Sequence, residues 1–191
     1  MEFLFILSLV VYILDIIILF YYGLHCFVMV KLFFKYRHNC VSDPNRLSEL
    51  KKKMKTWPRV TIQLPMFNEY YVAERLIDAT MKLRYPKNKL EVQVLDDSTD
   101  ETTEIVKKKV AEYRKKGFDI KLIHRTNRQG HKAGALREAQ EVAKGEFIAI
   151  FDADFMPAED FLEKTVPYFY ESDDIGMVQT RWGHINADYS I

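Results

Sequence analysis

Apolar positions divide the chain into two unlike parts. From Phe3 to Phe34 they run almost unbroken, FLFILSLVVYILDIIILFYYGLHCFVMVKLFF, whereas from Arg59 onward they come in short runs between charged stretches. The first part predicts one long helix. Roughly 28 residues, Phe3 to Val30, would extend about 42 Å and cross a ~30 Å hydrocarbon core. The second part predicts an alternation of strands and helices. RVTIQL (59–64), EVQVL (91–95), DIKLIH (119–124), FIAIF (147–151) and IGMVQTRW from Ile175 read as strands. Helices are expected over about 70–83, after DDSTDE up to Gly117, over 135–144, and over about 158–170. Strands alternating with helices of this length imply βαβ units, a mainly parallel sheet and a Rossmann-like α/β fold preceded by one transmembrane helix. In such sheets ligands gather at the carboxyl ends of the strands.

Charge refines the picture of the amino-terminal helix. Asp15 is costly at mid-bilayer, by about 2.5–3.5 kcal/mol, so the span can slide toward residues 16–34 with Lys31 snorkelling. Glu2, the length of the stretch and the lack of a small-residue cleavage site favour a retained anchor over a secretory signal. Lys31, Lys35 and Arg37 follow the span, which by the positive-inside rule predicts a single-pass membrane protein with its soluble domain in the cytoplasm. Cys26 and Cys40 offer neither a disulfide framework nor metal spacing. KKKMK (51–55) is either a solvated spacer or a contact to anionic membrane lipid. A net charge of +1 argues against nucleic acid as a partner. The expected division is a membrane anchor over 1–34, a basic juxtamembrane linker over 35–58 and a catalytic-type domain over 59–191.

Candidate chemistry collects where the strands end. In GEFIAIFDADFMP (145–157) an apolar run, read as a strand buried on both faces in mid-sheet, leads into Asp152 and Asp154. If the chain stays extended, both carboxylates point the same way and require a cation between them. Capping of a helix beginning near Pro157 is the alternative. In LDDSTDETTE, Ser98 and Glu101 have capping-box spacing, which leaves Asp96 and Asp97 unexplained. One can face the crevice and accept an N–H while the other holds the loop; Asp97 is the candidate ligand. In RTNRQGHKAGAL, Gly130 and Gly134 bracket His131 and Lys132 before a helix, an arrangement suited to a diphosphate. In QLPMFNE, Pro65 stiffens the turn, and Phe67, Asn68 and Glu69 either pack on a base or brace a loop. His25, His38, His124 and His184 occur singly and read as structural.

Taken together, PMFNE, VLDDSTD, GHKAGAL and FDADF, in that order and spacing, resemble the processive family 2 glycosyltransferases, especially the cellulose synthase-like and glucomannan synthase-like branch. The resemblance covers residues 59–191 and implies a GT-A fold, a nucleotide-sugar donor (UDP- or GDP-sugar), a glycan acceptor and Mg²⁺ or Mn²⁺. It also implies a donor site built from Pro65, Phe67, Asn68, Glu69, Asp97, Lys132 and Asp152, with Asp152 and Asp154 on the metal and Asp97 on the base. Such enzymes invert at the sugar carbon and need a general base for the acceptor hydroxyl. The resemblance places that base, and the later membrane helices, downstream. The chain is thus expected to be the amino-terminal, donor-binding part of a synthase.

Other readings fit less well. A phosphotransfer receiver would carry its acidic pair after the first strand, and a dinucleotide-binding domain would show G-x-G-x-x-G where PMFNE stands. A membrane-tethered nucleotide-sugar binding module or inactive remnant is the remaining alternative. Gln179, Thr180, Arg181 and Trp182 resemble the acceptor-clamping Gln-x-x-Arg-Trp signature, with one residue rather than two between Gln and Arg. Their place so soon after Asp154 predicts a structural strand instead.

Overall fold

The structure, a computed structural model, describes residues 1–37, 44–181 and 183. It separates into two units, Met1–Arg46 and Leu47–Ile191, each considered by itself. The first is dominated by α1, Glu2–Tyr36, whose 35 residues have no buried side chain. Apolar residues surround this helix on every side, and its most apolar segment reaches a mean hydropathy of 2.9, so length and composition make it a candidate membrane span. A second helix, α2 (Pro44–Lys53), ends on Lys51, Lys52 and Lys53. His38 and Cys40 lie outside the described residues.

The second unit is built on a four-stranded parallel sheet in the order β3-β2-β1-β4. Its strands are β1 (Val60–Met66), β2 (Leu90–Asp96), β3 (Ile120–His124) and β4 (Phe147–Ile150). The helices between them are α3 (Ala73–Met81), α4 (Thr102–Lys115) and α5 (His131–Gln140). After β4 come α6 (Phe161–Thr165) and a 3₁₀ turn over Val166–Tyr170. Pleating divides each strand between two faces. Val60, Ile62 and Leu64 of β1 and Val92 and Val94 of β2 meet Leu76, Ile77, Val106 and Val110 of α3 and α4 in the main core. The opposite face carries α5, with Ala135 and Ala139 against Leu95.

That second face holds a buried polar row. Thr61 pairs in register with Glu91, and Gln63 with Gln93, and all four are at most 1% exposed. The row is tolerated because its members bond to one another, Gln93 Nε2 alone among the side-chain nitrogens of the row being buried without a partner. Thr61 Oγ1 donates to Glu91 Oε2 at 2.6 Å, Gln63 Nε2 to Gln93 Oε1 at 3.0 Å, and the Lys144 N–H to Glu91 Oε2 at 2.7 Å.

Four expectations from the sequence are corrected. FIAIF is not a central strand: β4 pairs with β1 alone at the sheet's edge, and α5 packs on β1 and β2, leaving Ile148 and Ile150 37% and 48% exposed. The helix after β3 begins at His131 rather than Ala135, because the chain turns into it through left-handed Gly130. The helix expected over 158–170 is a short α6 continued by a 3₁₀ turn, since Pro167 disrupts regular helical bonding. Residues 175–181 form no strand. Gln179, Thr180 and Arg181 therefore do not alternate along a sheet, and Trp182 and His184 lie outside the described residues.

Candidate functional site

The carboxyl ends of β1 and β2, the start of α5 and the turn after β4 enclose a cleft of about 480 Å³. Pro65, Phe67, Glu69, Asp97, Lys132, Asp152 and Asp154 all line it, although they come from four separate stretches of chain. Asn68 does not. It sits at φ 56°, a left-handed turn position that Asn tolerates, with its N–H donating to Ser98 Oγ at 2.9 Å and its Oδ1 accepting from Thr99 N at 2.9 Å. Asn68 thus braces the loop after β1 against the loop after β2. Ser98 is used in that brace rather than in a capping box; Asp100 Oδ1 accepts the Thr102 N–H where α4 begins.

The neighbouring carboxylates Asp96 and Asp97 divide their work. Asp96, fully buried, accepts from Ser98 N at 3.1 Å and Thr103 Oγ1 at 2.7 Å and lies 2.9 Å from His124 Nδ1, so it holds the loop. Asp97 faces the cleft, gripped from behind by Arg125: Nε to Oδ1 at 2.9 Å and Nη2 to Oδ2 at 2.6 Å. Arg125 also donates to Gln129 O at 3.2 Å, His131 O at 3.0 Å and Glu138 Oε1 at 2.8 Å. The bonds to Asp97 outweigh burial and hold its guanidinium well above even the usual arginine range. One buried side chain thereby ties the acidic loop after β2 to the loop that enters α5.

That entry is tightly wound. Arg128, Gly130 and His131 take positive φ values of 45°, 70° and 50°, unusual for the two residues with a Cβ. Gly134 is needed for a different reason: a Cβ there would stand 1.9 Å from the Gln129 carbonyl oxygen. The winding places Lys132 in the first turn of α5, where its ammonium bonds Asp152 Oδ1 across the cleft. It also lays the Arg128 guanidinium over the Phe67 ring, 3.2 Å from its centroid. Arg125 and Arg128 escaped the sequence reading because an arginine in a polar loop looks like a solvated side chain. The only available signal was their position, directly after a strand whose neighbour ends in Asp-Asp.

After β4 the chain does not stay extended through Asp154. It turns, with Phe155 N–H bonding Asp152 O at 3.0 Å, and still presents both carboxylates to the cleft. Neither caps a helix, as α6 starts at Phe161 behind Asp160. Among the described residues no group of three or more His, Cys, Asp or Glu side chains could hold a metal by itself. Two carboxylates nevertheless suit Mg²⁺ or Mn²⁺ bound together with phosphate, since hard cations of this kind take one or two carboxylates plus phosphate oxygens and water. The ammonium of Lys132 rests on Asp152, so part of the rim's negative charge is balanced by a cationic side chain.

The parallel α/β layer, with acidic and basic groups converging beyond its strand ends, matches the GT-A fold that the resemblance implies, and the comparisons agree. The chain belongs to glycosyl transferase family 2, whose model matches residues 61–191. It is 45% identical over 136 residues to glucomannan 4-beta-mannosyltransferase 7 of Arabidopsis thaliana, covering 69% of this chain and 24% of that one. Over 156 residues it is 44% identical to glucomannan 4-beta-mannosyltransferase 1 of Oryza sativa subsp. japonica, covering 80% and 30%. The chain thus spans less than a third of the length of these relatives. Among solved structures it resembles the Pyrobaculum calidifontis mannosyltransferase PcManGT in complex with GDP-Man and Mn²⁺, at 34% identity, TM-score 0.54, and 65% and 39% coverage. It also resembles S. aureus TarS 1-349 in complex with UDP-GlcNAc, at 25% identity, TM-score 0.52, and 63% and 37% coverage.

Proposed function

We propose that the cleft binds a nucleotide-sugar donor, GDP-mannose in particular, for an inverting transfer to a glycan. The observation that carries this reading is the convergence of Asp97, Lys132, Asp152 and Asp154 on one cleft from three strand ends. Support for the sugar comes from the mannosyltransferase relatives and from the GDP-Man and Mn²⁺ bound in a structural neighbour.

Each group has a task consistent with its surroundings. Asp97, immobilised by Arg125, accepts an N–H from the base. Phe67 and Arg128 offer a flat platform beside it. Lys132 and the amino end of α5 meet the diphosphate. The Lys132–Asp152 pair is half exposed on both sides, 51% and 43%, and so is weak enough to exchange partners when a diphosphate arrives. Asp152 and Asp154 would hold a divalent cation, which when bound supplies charge neutralisation for the departing diphosphate. Anchoring of the unit to a membrane by α1, with the cleft on the cytoplasmic side, completes the reading and rests on the apolarity of α1 and the basic residues after it.

Calorimetric titration of the chain with GDP-mannose and Mn²⁺ tests the reading. Saturable binding that Lys132→Ala weakens is expected; absence of binding to GDP-mannose, UDP-sugars and GDP alike would overturn it.

A further inference from the structure

A second groove, of about 600 Å³, runs between α3 and the segment 156–159. We propose that it is a glycan-binding site that takes the acceptor chain; the assignment rests on the glycosyl-transfer reading above and extends it from donor to acceptor. The first ground is continuity. Phe67 and Glu69 line the cleft and Tyr71 the groove; Asp152 and Asp154 line the cleft and Met156 the groove. Both walls of the groove are therefore continuations of the cleft's walls, offset by two residues, at most about 7 Å of chain. On this reading a sugar chain whose end is in the cleft extends on into the groove.

The second ground is chemistry. Tyr71 is 92% exposed, steadied by an edge-on contact with Tyr70 at 5.2 Å, and Met156 faces the same space. An exposed aromatic beside convergent polar groups is the usual make-up of a small-molecule site, and its ring suits the apolar C–H face of a pyranose. Glu74 and Asp78 are preset for hydroxyls: Lys109 Nζ lies 2.8 Å from Glu74 and 3.0 Å from Asp78, and Tyr113 Oη donates to Asp78 at 2.8 Å. Those bonds fix the two carboxylates while leaving them partly exposed, so little ordering is needed on binding. Arg75 and Lys82, also in the groove, form no ion pair among the described residues and are available as donors. Acids and bases nearly balance along the groove, which fits a neutral polyhydroxylated chain better than a polyanion. Its width is fixed at the end of α3, where Arg84 N–H donates to Glu159 O at 2.8 Å and its side chain reaches Glu163 at 3.3 Å.

The test is calorimetric titration of the full chain in detergent with β-1,4-linked mannohexaose, and separately with GDP-mannose and Mn²⁺. Saturable hexaose binding is expected, weakened about tenfold by Tyr71→Ala, nearly retained by Tyr71→Phe, and reduced several-fold by Arg75→Ala, with GDP-mannose affinity unchanged in all three. A chain that binds GDP-mannose but not hexaose, or hexaose binding indifferent to Tyr71→Ala, would overturn the proposal. Tyr71-dependent hexaose binding by a chain that ignores GDP-mannose would support the groove and defeat the donor reading instead.

Discussion

Arg125 grips both carboxylate oxygens of Asp97, at 2.9 and 2.6 Å, and the two side chains are only 5% and 6% exposed. A pair so enclosed is expensive to break from one side, because the surviving charge stays buried. Arg125→Ala should cost about 3–5 kcal/mol in thermal or urea unfolding. Arg125→Lys is the more informative change. It keeps the charge but loses the planar fork, so Asp97 and the His131 carbonyl are no longer held by one group. Binding of GDP-mannose should fall about tenfold or more while most of the stability returns. Donor affinity equal to wild type in Arg125→Lys would show that the pair acts on folding alone.

Metal dependence gives a second prediction. With Asp152 and Asp154 facing one cleft, nucleotide binding should be strong in Mn²⁺ and weak in EDTA. Asp154→Asn should remove most of that difference, because one carboxylate beside Lys132 is a poor cation site. Folding should be unaffected, since Asp154 is exposed and caps nothing. Calorimetry giving the same affinity with Mn²⁺ and with EDTA in the wild-type chain would remove the metal from the assignment.

How much of this was legible beforehand depends on which interactions are local. Four strands were readable because each is a short stretch rich in Val, Ile, Leu or Phe, unbroken in β4 and interleaved with polar residues in β1 to β3, and their parallel direction followed from the intervening helices. The place of β4 in the sheet was not readable, because a run such as FIAIF is the same whether one neighbour or two flank it. Residues 175–181 carry a strand-like pattern yet pair with nothing among the described residues; pattern supplies propensity, and pairing supplies the strand. In the cleft, the acidic and lysine positions were visible as odd residues after strands. Arg125 was not, because its importance lies in partners 28 residues before it and 13 after it.

Glycine chemistry in the same loop yields a third prediction. Gly134→Ala would place a methyl group 1.9 Å from the Gln129 oxygen and 3.1 Å from the Arg125 guanidinium. Backbone cannot yield as a side-chain tip can, so the loop carrying Lys132 must shift. A loss of about 2 kcal/mol or more is expected, accompanied by weaker nucleotide binding. Gly130→Ala, which meets Gly134 at 3.1 Å and keeps a φ of 70°, should cost less, with about 1–2 kcal/mol coming from the left-handed conformation. Thermal unfolding of the two variants side by side decides whether close approach or backbone angle dominates.

The buried polar row under α5 makes a prediction in pH. Burial alone would raise the pKa of Glu91, but bonds from the Thr61 hydroxyl, the Lys144 N–H and the Lys121 ammonium outweigh it and hold the carboxyl below its ordinary 4.5. A carboxyl lowered on folding stabilises the native state fully above its unfolded value and loses that contribution as pH falls through the folded value. The wild-type chain should therefore keep a constant contribution from Glu91 above about pH 5.5 and lose it progressively below about pH 4.5. Glu91→Gln removes the charge that pairs with Lys121 at 2.9 Å, leaving Lys121 its bond to the Val142 carbonyl, and should lower the melting temperature at neutral pH. Because a protonated Glu91 resembles that amide, the two melting temperatures should draw together on acidification. A difference that stays the same from about pH 7 down to about pH 3.5 would show that the ionised form of Glu91 is not what the row stabilises.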